Sequence, residues 1–169
     1  MQKNVDFDTA VKTKYPEQLV IAVAKDKKGK ANPITLGWTM IASGEPAMLA
    51  IAVHQGHYSV AAIRHSKCFT LSFPSAQMAD AVLFFGKHSG RDTDKFAKFP
   101  CKTSPAVRID SLLLDDAVAN FECGLVWEKQ AGDHIIFIGE VIACHINTEP
   151  VKRLYTLGPG YKLGAVSQA

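Results

Sequence analysis

Three groups of residues in this chain carry side chains able to do chemistry. His134 follows Gly132-Asp133 at the head of an apolar run, Ile135-Ile136-Phe137-Ile138. Imidazole titrates near neutral pH, so it can exchange a proton with a reacting group or meet a phosphate. A purely structural histidine is the plainer alternative. The second group, Ser89-Gly90-Arg91-Asp92-Thr93-Asp94-Lys95, joins a flexible turn to cations and hydroxyls, a composition suited to holding an anion. Pairing of Arg91 with Asp94 at the surface is the weaker alternative there. The third group is Tyr58-Ser59, at the opening of a short helical run after Gly56. Unpaired N–H groups and the helix dipole favour a phosphate at that point, with His54 and His57 close by. Ser59 serves equally well as a plain helix cap. His65 and His88 have no companions at ligand spacing, and Cys68, Cys101, Cys123 and Cys144 form no close pair, so no metal and no dithiol centre is expected.

The elements that must position these groups are mostly strands. In 32–43, Ile34, Leu36, Trp38, Met40 and Ala42 alternate with Thr35, Gly37, Thr39, Ile41 and Ser43, which predicts one long uncharged strand. Its second face, small and glycine-containing, calls for a flat ligand, another sheet or a second subunit against it. Residues 19–24 form a preceding strand, and Lys25-Asp26-Lys27-Lys28-Gly29-Lys30 reads as a solvated turn rather than a phosphate loop, because glycine occurs in it only once. Further strands are expected over 47–53 and 69–73. Ser75 and Gly86 bracket a helix whose Met78, Ala81, Val82 and Phe85 share a core-facing side, and Asp92 is placed to cap a second short helix that Pro100 ends. From 117 to 128 and from 134 to 146 a period of two returns on either side of Gln130-Ala131-Gly132-Asp133, predicting a long hairpin. Hairpins with few short helices and no regular βαβ alternation indicate a closed or partly closed antiparallel barrel. The glycine fingerprint of a Rossmann domain is absent.

A length of 169 residues fits one domain, 1–169. The net charge of +3 arises from 19 basic and 16 acidic residues spread along the chain, which argues against a dedicated nucleic-acid surface but leaves room for a local anion site. No segment has the length and apolarity of a membrane span, and the N-terminus carries early acids without an apolar h-region. With unpaired thiols, the expected compartment is the cytoplasm.

Residues 32–43, 89–96 and 132–141, taken in this order and spacing, resemble the flavin reductase and flavoredoxin family, and the likeness extends from the first strand to about Tyr161. The resemblance implies a mainly β, six-stranded antiparallel Greek-key split barrel with a few short helices. It also implies non-covalently bound FMN and a homodimer with the flavin near the subunit interface. On the same ground Asn32, Trp38, Thr39, Met40 and Ile41 are expected to line the isoalloxazine pocket, and His54, Tyr58 and Ser59 to lie by the FMN phosphate. Ser89, Gly90 and Lys95 would hold the flavin edge or ribityl phosphate, and His134 would act catalytically near the nicotinamide or the reactive flavin face. The function expected is an FMN-binding oxidoreductase moving electrons from NAD(P)H, or from a reduced protein partner, through the flavin to an acceptor. A flavin-binding electron carrier or sensor without its own turnover is one alternative, and a flavin-free barrel whose Trp38 strand packs on a partner subunit is another. Neither nucleic acid nor membrane is expected among its partners.

Overall fold

A computed structural model describes residues 1–166 and accounts for the unbroken apolarity of 19–24. In chain order the elements are α1 (Phe7–Val11), β1 (Glu17–Gln18), β2 (Val20–Lys25), β3 (Ala31–Leu36), β4 (Thr39–Gly44), β5 (Ala47–His54), α2 (Tyr58–Ser66) and β6 (Cys68–Phe73). A 3-10 turn (Ala76–Met78), α3 (Ala79–Lys87), α4 (Lys95–Lys98), β7 (Thr103–Pro105), β8 (Leu112–Leu114), β9 (Ala119–Ala131), β10 (His134–Ile146), β11 (Leu154–Gly158) and β12 (Lys162–Ala165) follow. Strand β2 is covered on both sides. Val20, Ala22 and Ala24 join Ile51, Val53, Phe69, Leu71 and Phe137 inside the barrel. Leu19, Ile21 and Val23 face the other way, onto Met78, Ala81, Val82 and Phe85. The helix face expected to be core is therefore core.

The main sheet is antiparallel, in the order β3-β2-β6-β9-β10-β5-β4. β3 and β4 follow one another along the chain but occupy opposite edges, so the single run 31–44 spans the gap between them. Counted as one segment, it gives the six strands of a split barrel. The expected unbroken strand over 32–43 is thus corrected to two strands with a break at Gly37-Trp38: β3 pairs with β2 and β4 with β5. The reason is closure, since a straight strand cannot serve both edges of a curled sheet. At the break the Trp38 carbonyl accepts from the Ala52 N–H at 3.0 Å. The long hairpin is present, with β9 and β10 paired across a Gly132-Asp133 turn, although pairing starts at Ala119 rather than at 117. At Gly139, a Cβ would stand 2.7 Å from the Cys123 Cβ and 2.8 Å from the Phe69 ring, which restricts this barrel-facing site to glycine.

Helix ends differ from the sequence reading by small steps. Asp94, not Asp92, caps α4, its Oδ1 accepting from the Ala97 N–H at 3.1 Å. Asp94 is the acid that stands three residues before an orphan N–H once the helix starts at Lys95. Ser75 opens a 3-10 turn without a side-chain cap bond, and α3 runs one residue past Gly86. His57, not Ser59, occupies the N-cap of α2, because the helix already starts at Tyr58 and so takes Ser59 into its first turn. No helix among the described residues is long and apolar enough to cross a membrane.

Candidate functional site

The head of α2, the loop 88–94 and α4 enclose a cavity of about 190 Å³ lined by His57, Tyr58, Ser59, Ser89, Gly90, Arg91 and Lys95, among others. Its support begins in the turn after β2. Asp26 Oδ1 accepts from the N–H groups of Lys28 (2.8 Å) and Lys30 (3.0 Å), and Gly29 takes φ +76° to close that turn. Asp26 Oδ2 accepts from the Tyr58 hydroxyl at 2.8 Å, and Lys30 Nζ donates to the Gly90 carbonyl at 3.2 Å. The basic segment expected to be a mere solvated turn therefore braces this site through Asp26 and Lys30. Burial alone would raise the Asp26 pKa, but the bonds from Tyr58, Lys28 and Lys30 hold it below the usual range. The same bond to Asp26, with burial, raises that of Tyr58.

Behind this wall Asn32 is buried, its Nδ2 donating to Ser59 Oγ at 2.8 Å. Ser59 thus accepts from Asn32 and keeps its own hydroxyl proton for another acceptor. The Asn32 Oδ1 is buried without a partner, and a Cβ on Gly90 would stand 1.9 Å from it, so the loop can come this close only as glycine. Ser89 shapes the same loop, its Oγ accepting from the Arg91 N–H at 3.2 Å. Arg91 reaches the Gly56 carbonyl at 3.4 Å rather than Asp94. Lys95 is only 3% exposed and donates to the carbonyls of Pro33 (2.7 Å) and Phe85 (2.8 Å). Its third N–H remains for the cavity. Burial pulls its pKa down to about 8.

Next to this cavity lies a cleft of about 620 Å³, lined in part by Trp38, His54, His134 and Tyr161. His57, Gly86 and Lys87 line both spaces and form their common wall. Register explains the histidines, since β10 pairs with β5 so that His134 stands opposite His54. The rings of Trp38 and His134 are 4.4 Å apart at 37°, His134 meets His54 edge-on at 5.3 Å, and His54 lies 5.6 Å from His57. His134 Nδ1 is 2.7 Å from Asp133 Oδ1, an arrangement that places the proton on Nδ1 and turns Nε2 to other partners. That contact holds the Asp133 carboxyl below its usual value. The His57 pKa is lowered by partial burial first and then by the charges of His54, Lys95 and His134.

The expected isoalloxazine wall is divided by the break in the strand. Trp38 lines the cleft, whereas Asn32 sits behind the smaller cavity. Thr39 and Met40 line a shallow depression of about 350 Å³ on the outer face, where the Thr39 hydroxyl donates to the Ala50 carbonyl at 3.0 Å. Ile41 lies outside all three hollows and is 78% exposed. Asp26 and Lys30 as braces of the site were beyond a reading confined to local patterns. An aspartate two and four residues before its backbone donors was the one visible signal, and it pointed only to a turn. No group of three or more metal-ligating side chains occurs among the described residues, and all four cysteines are free.

A family model described as flavin reductase like domain matches residues 12–162. A flavin reductase of Pseudomonas putida is 27% identical over 152 residues, covering 90% of this chain and 85% of that protein. Among solved structures, flavoredoxin of Desulfovibrio vulgaris (Miyazaki F) superposes with a TM-score of 0.87 at 21% identity, covering 100% of this chain and 95% of that one. An FMN-binding protein from Thermus thermophilus superposes with a TM-score of 0.82 at 21% identity, covering 98% and 93%. These structural likenesses concern the fold.

Proposed function

The chain belongs to the flavin reductase-like family, and from that premise we propose that it is an FMN-binding oxidoreductase that passes electrons from NAD(P)H, or from a reduced protein partner, to an acceptor. One observation carries the reading: a small cavity rich in cations and backbone donors shares a wall with a larger cleft walled by indole and imidazole. A phosphate suits the first, with the N–H groups at the head of α2, the Ser59 and Ser89 hydroxyls, Arg91 and the remaining Lys95 proton around it. The cleft has the size of a small-molecule site, and Trp38 offers an apolar face for a fused ring. Bound flavin would supply the redox chemistry by accepting a hydride or single electrons.

The protein's own part is positioning and proton control. Asp26 fixes Tyr58, Asn32 fixes Ser59, and Gly90 lets the loop close over them. His134, oriented by Asp133 and packed at a tilt against Trp38, is placed to exchange a proton at Nε2 beside the ring. Trp38 is 49% exposed, which also suits a carrier that exchanges electrons with a protein and has no substrate turnover of its own. The exposed apolar edge strand β4, with Met40 on the same outer face as Trp127, is proposed to pair with a second copy, giving a homodimer.

Flavin titration followed by anaerobic stopped-flow reduction with NADH and NADPH tests the reading. FMN should bind more tightly than FAD and be reduced by at least one nicotinamide. Absence of any flavin binding would remove the assignment, and binding without reduction by either nucleotide would favour the carrier.

A further inference from the structure

We infer that filling the cavity at the head of α2 with a phosphate dianion is coupled to uptake of a proton by His57. This rests on the flavin reading of that cavity and concerns how pH governs its loading. His57 is the N-cap residue of a nine-residue helix, yet its side chain makes no cap bond, and it stands in the wall common to cavity and cleft. Its ring is therefore free to answer whatever enters on either side.

The groups around it are almost all cationic or able to become so. His54 faces it from β5, His134 from β10 and Lys95 from α4. Lys87 of α3 shares its wall, and Arg91 and His88 line the cavity from the following loop. The acids near the cleft are already engaged: Asp133 by His134 at 2.7 Å, Glu17 by Lys14 at 2.7 Å. With the cavity empty, partial burial first and then the charges of these neighbours lower the His57 pKa and disfavour its protonated form. A dianion in the cavity reverses the sign of the local field, and His57 is the group best placed to respond.

Lys95 and the phosphate itself contribute little at pH 7. With a pKa of about 8, Lys95 is already about nine-tenths protonated there, so it can take up only about a tenth of a proton. A phosphate with a second pKa near 6 would release about the same amount, and the two roughly cancel. Net uptake at pH 7 therefore reports on histidine.

Calorimetric titration at pH 7 in buffers of different ionisation heat measures the protons taken up on binding. Uptake of about half a proton is expected with FMN and close to none with riboflavin, which lacks the phosphate. Between pH 6.5 and 7.5 the FMN affinity should accordingly fall about threefold while that for riboflavin stays flat. H57N should bind FMN with the uptake largely gone, whereas H88N should keep it. FMN binding without proton uptake by the unaltered protein overturns the inference, as does uptake that survives in H57N or vanishes in H88N. Failure to bind FMN at all overturns the flavin reading itself, and the inference with it.

Discussion

Lys95 is committed twice, to the buried carbonyls of Pro33 and Phe85 and, through its remaining N–H, to the cavity. Lys95→Ala should therefore weaken FMN binding by roughly tenfold or more, the usual consequence of losing a charge-assisted contact. It should also lower stability by about 1–3 kcal/mol, because two buried acceptors lose their donor. FMN titration and urea unfolding separate the two effects, and a stability loss with full affinity would assign Lys95 to structure alone. His134→Ala is expected to act elsewhere. The ring packs at a tilt against Trp38 and is oriented by Asp133, so its removal should slow flavin reduction by about a hundredfold or more while changing FMN affinity little. Equal reduction rates in stopped flow would make His134 a structural residue.

Two segments have tolerances set by single neighbours. The loop 88–94 lies against Asn32, and Gly90→Ala would place a methyl 1.9 Å from the Asn32 Oδ1. Either the loop or the Asn32–Ser59 bond must move, at a cost of about 1–3 kcal/mol and with weaker FMN binding. Unchanged stability and affinity would show that the loop is not held there. On the far side of the barrel, the fully buried Glu122 of β9 accepts from the N–H groups of Val107 (2.8 Å), Arg108 (2.6 Å) and Ile109 (3.2 Å), and lies 2.7 Å from His145 Nε2. Burial pushes its pKa up, but these donors together outweigh burial and leave it below the ordinary 4.5. The folded chain thus binds fewer protons at this site than the unfolded chain, so the stabilisation is present above about pH 4.5 and is lost as pH falls through the depressed value. The stability advantage of the parent over Glu122→Gln should shrink between pH 6 and pH 3 in chemical unfolding; an advantage independent of pH would mean the carboxylate charge is not what anchors the segment 107–109.

At the scale of the whole molecule the issue is the outer face of the barrel. Met40 is 59% exposed, and Trp127 and Ile142 are exposed as well, on β4, β9 and β10. Apolar side chains gathered on the outside of a sheet are the usual mark of a partner surface. With self-association proposed, light scattering should give twice the mass of the chain across a wide concentration range. Met40→Asp should shift that mass toward the monomer and weaken FMN binding at the same time, if the interface helps to build the site. A monomeric parent would place the flavin site within one chain.

Much of the architecture was legible in the sequence because it depends on period and punctuation. The alternation on either side of Gly132-Asp133 required a hairpin, and the shared side of Met78, Ala81, Val82 and Phe85 required a buried helix face. The chemistry-bearing groups were visible too, as residue types at short spacing. Their assembly was not. Barrel closure divides 31–44 between two sheet edges, so Trp38 enters the cleft while Ile41 is left exposed outside it, although a local pattern treats them as one strand. Asp26 meets Tyr58 across 32 positions, Asn32 meets Ser59 across 27, and Lys95 reaches Pro33 across 62. Periodicity reports which way a side chain points within its own element. Only the folding of distant elements against one another decides which groups share a cavity, and with it their burial, their hydrogen bonds and their charge.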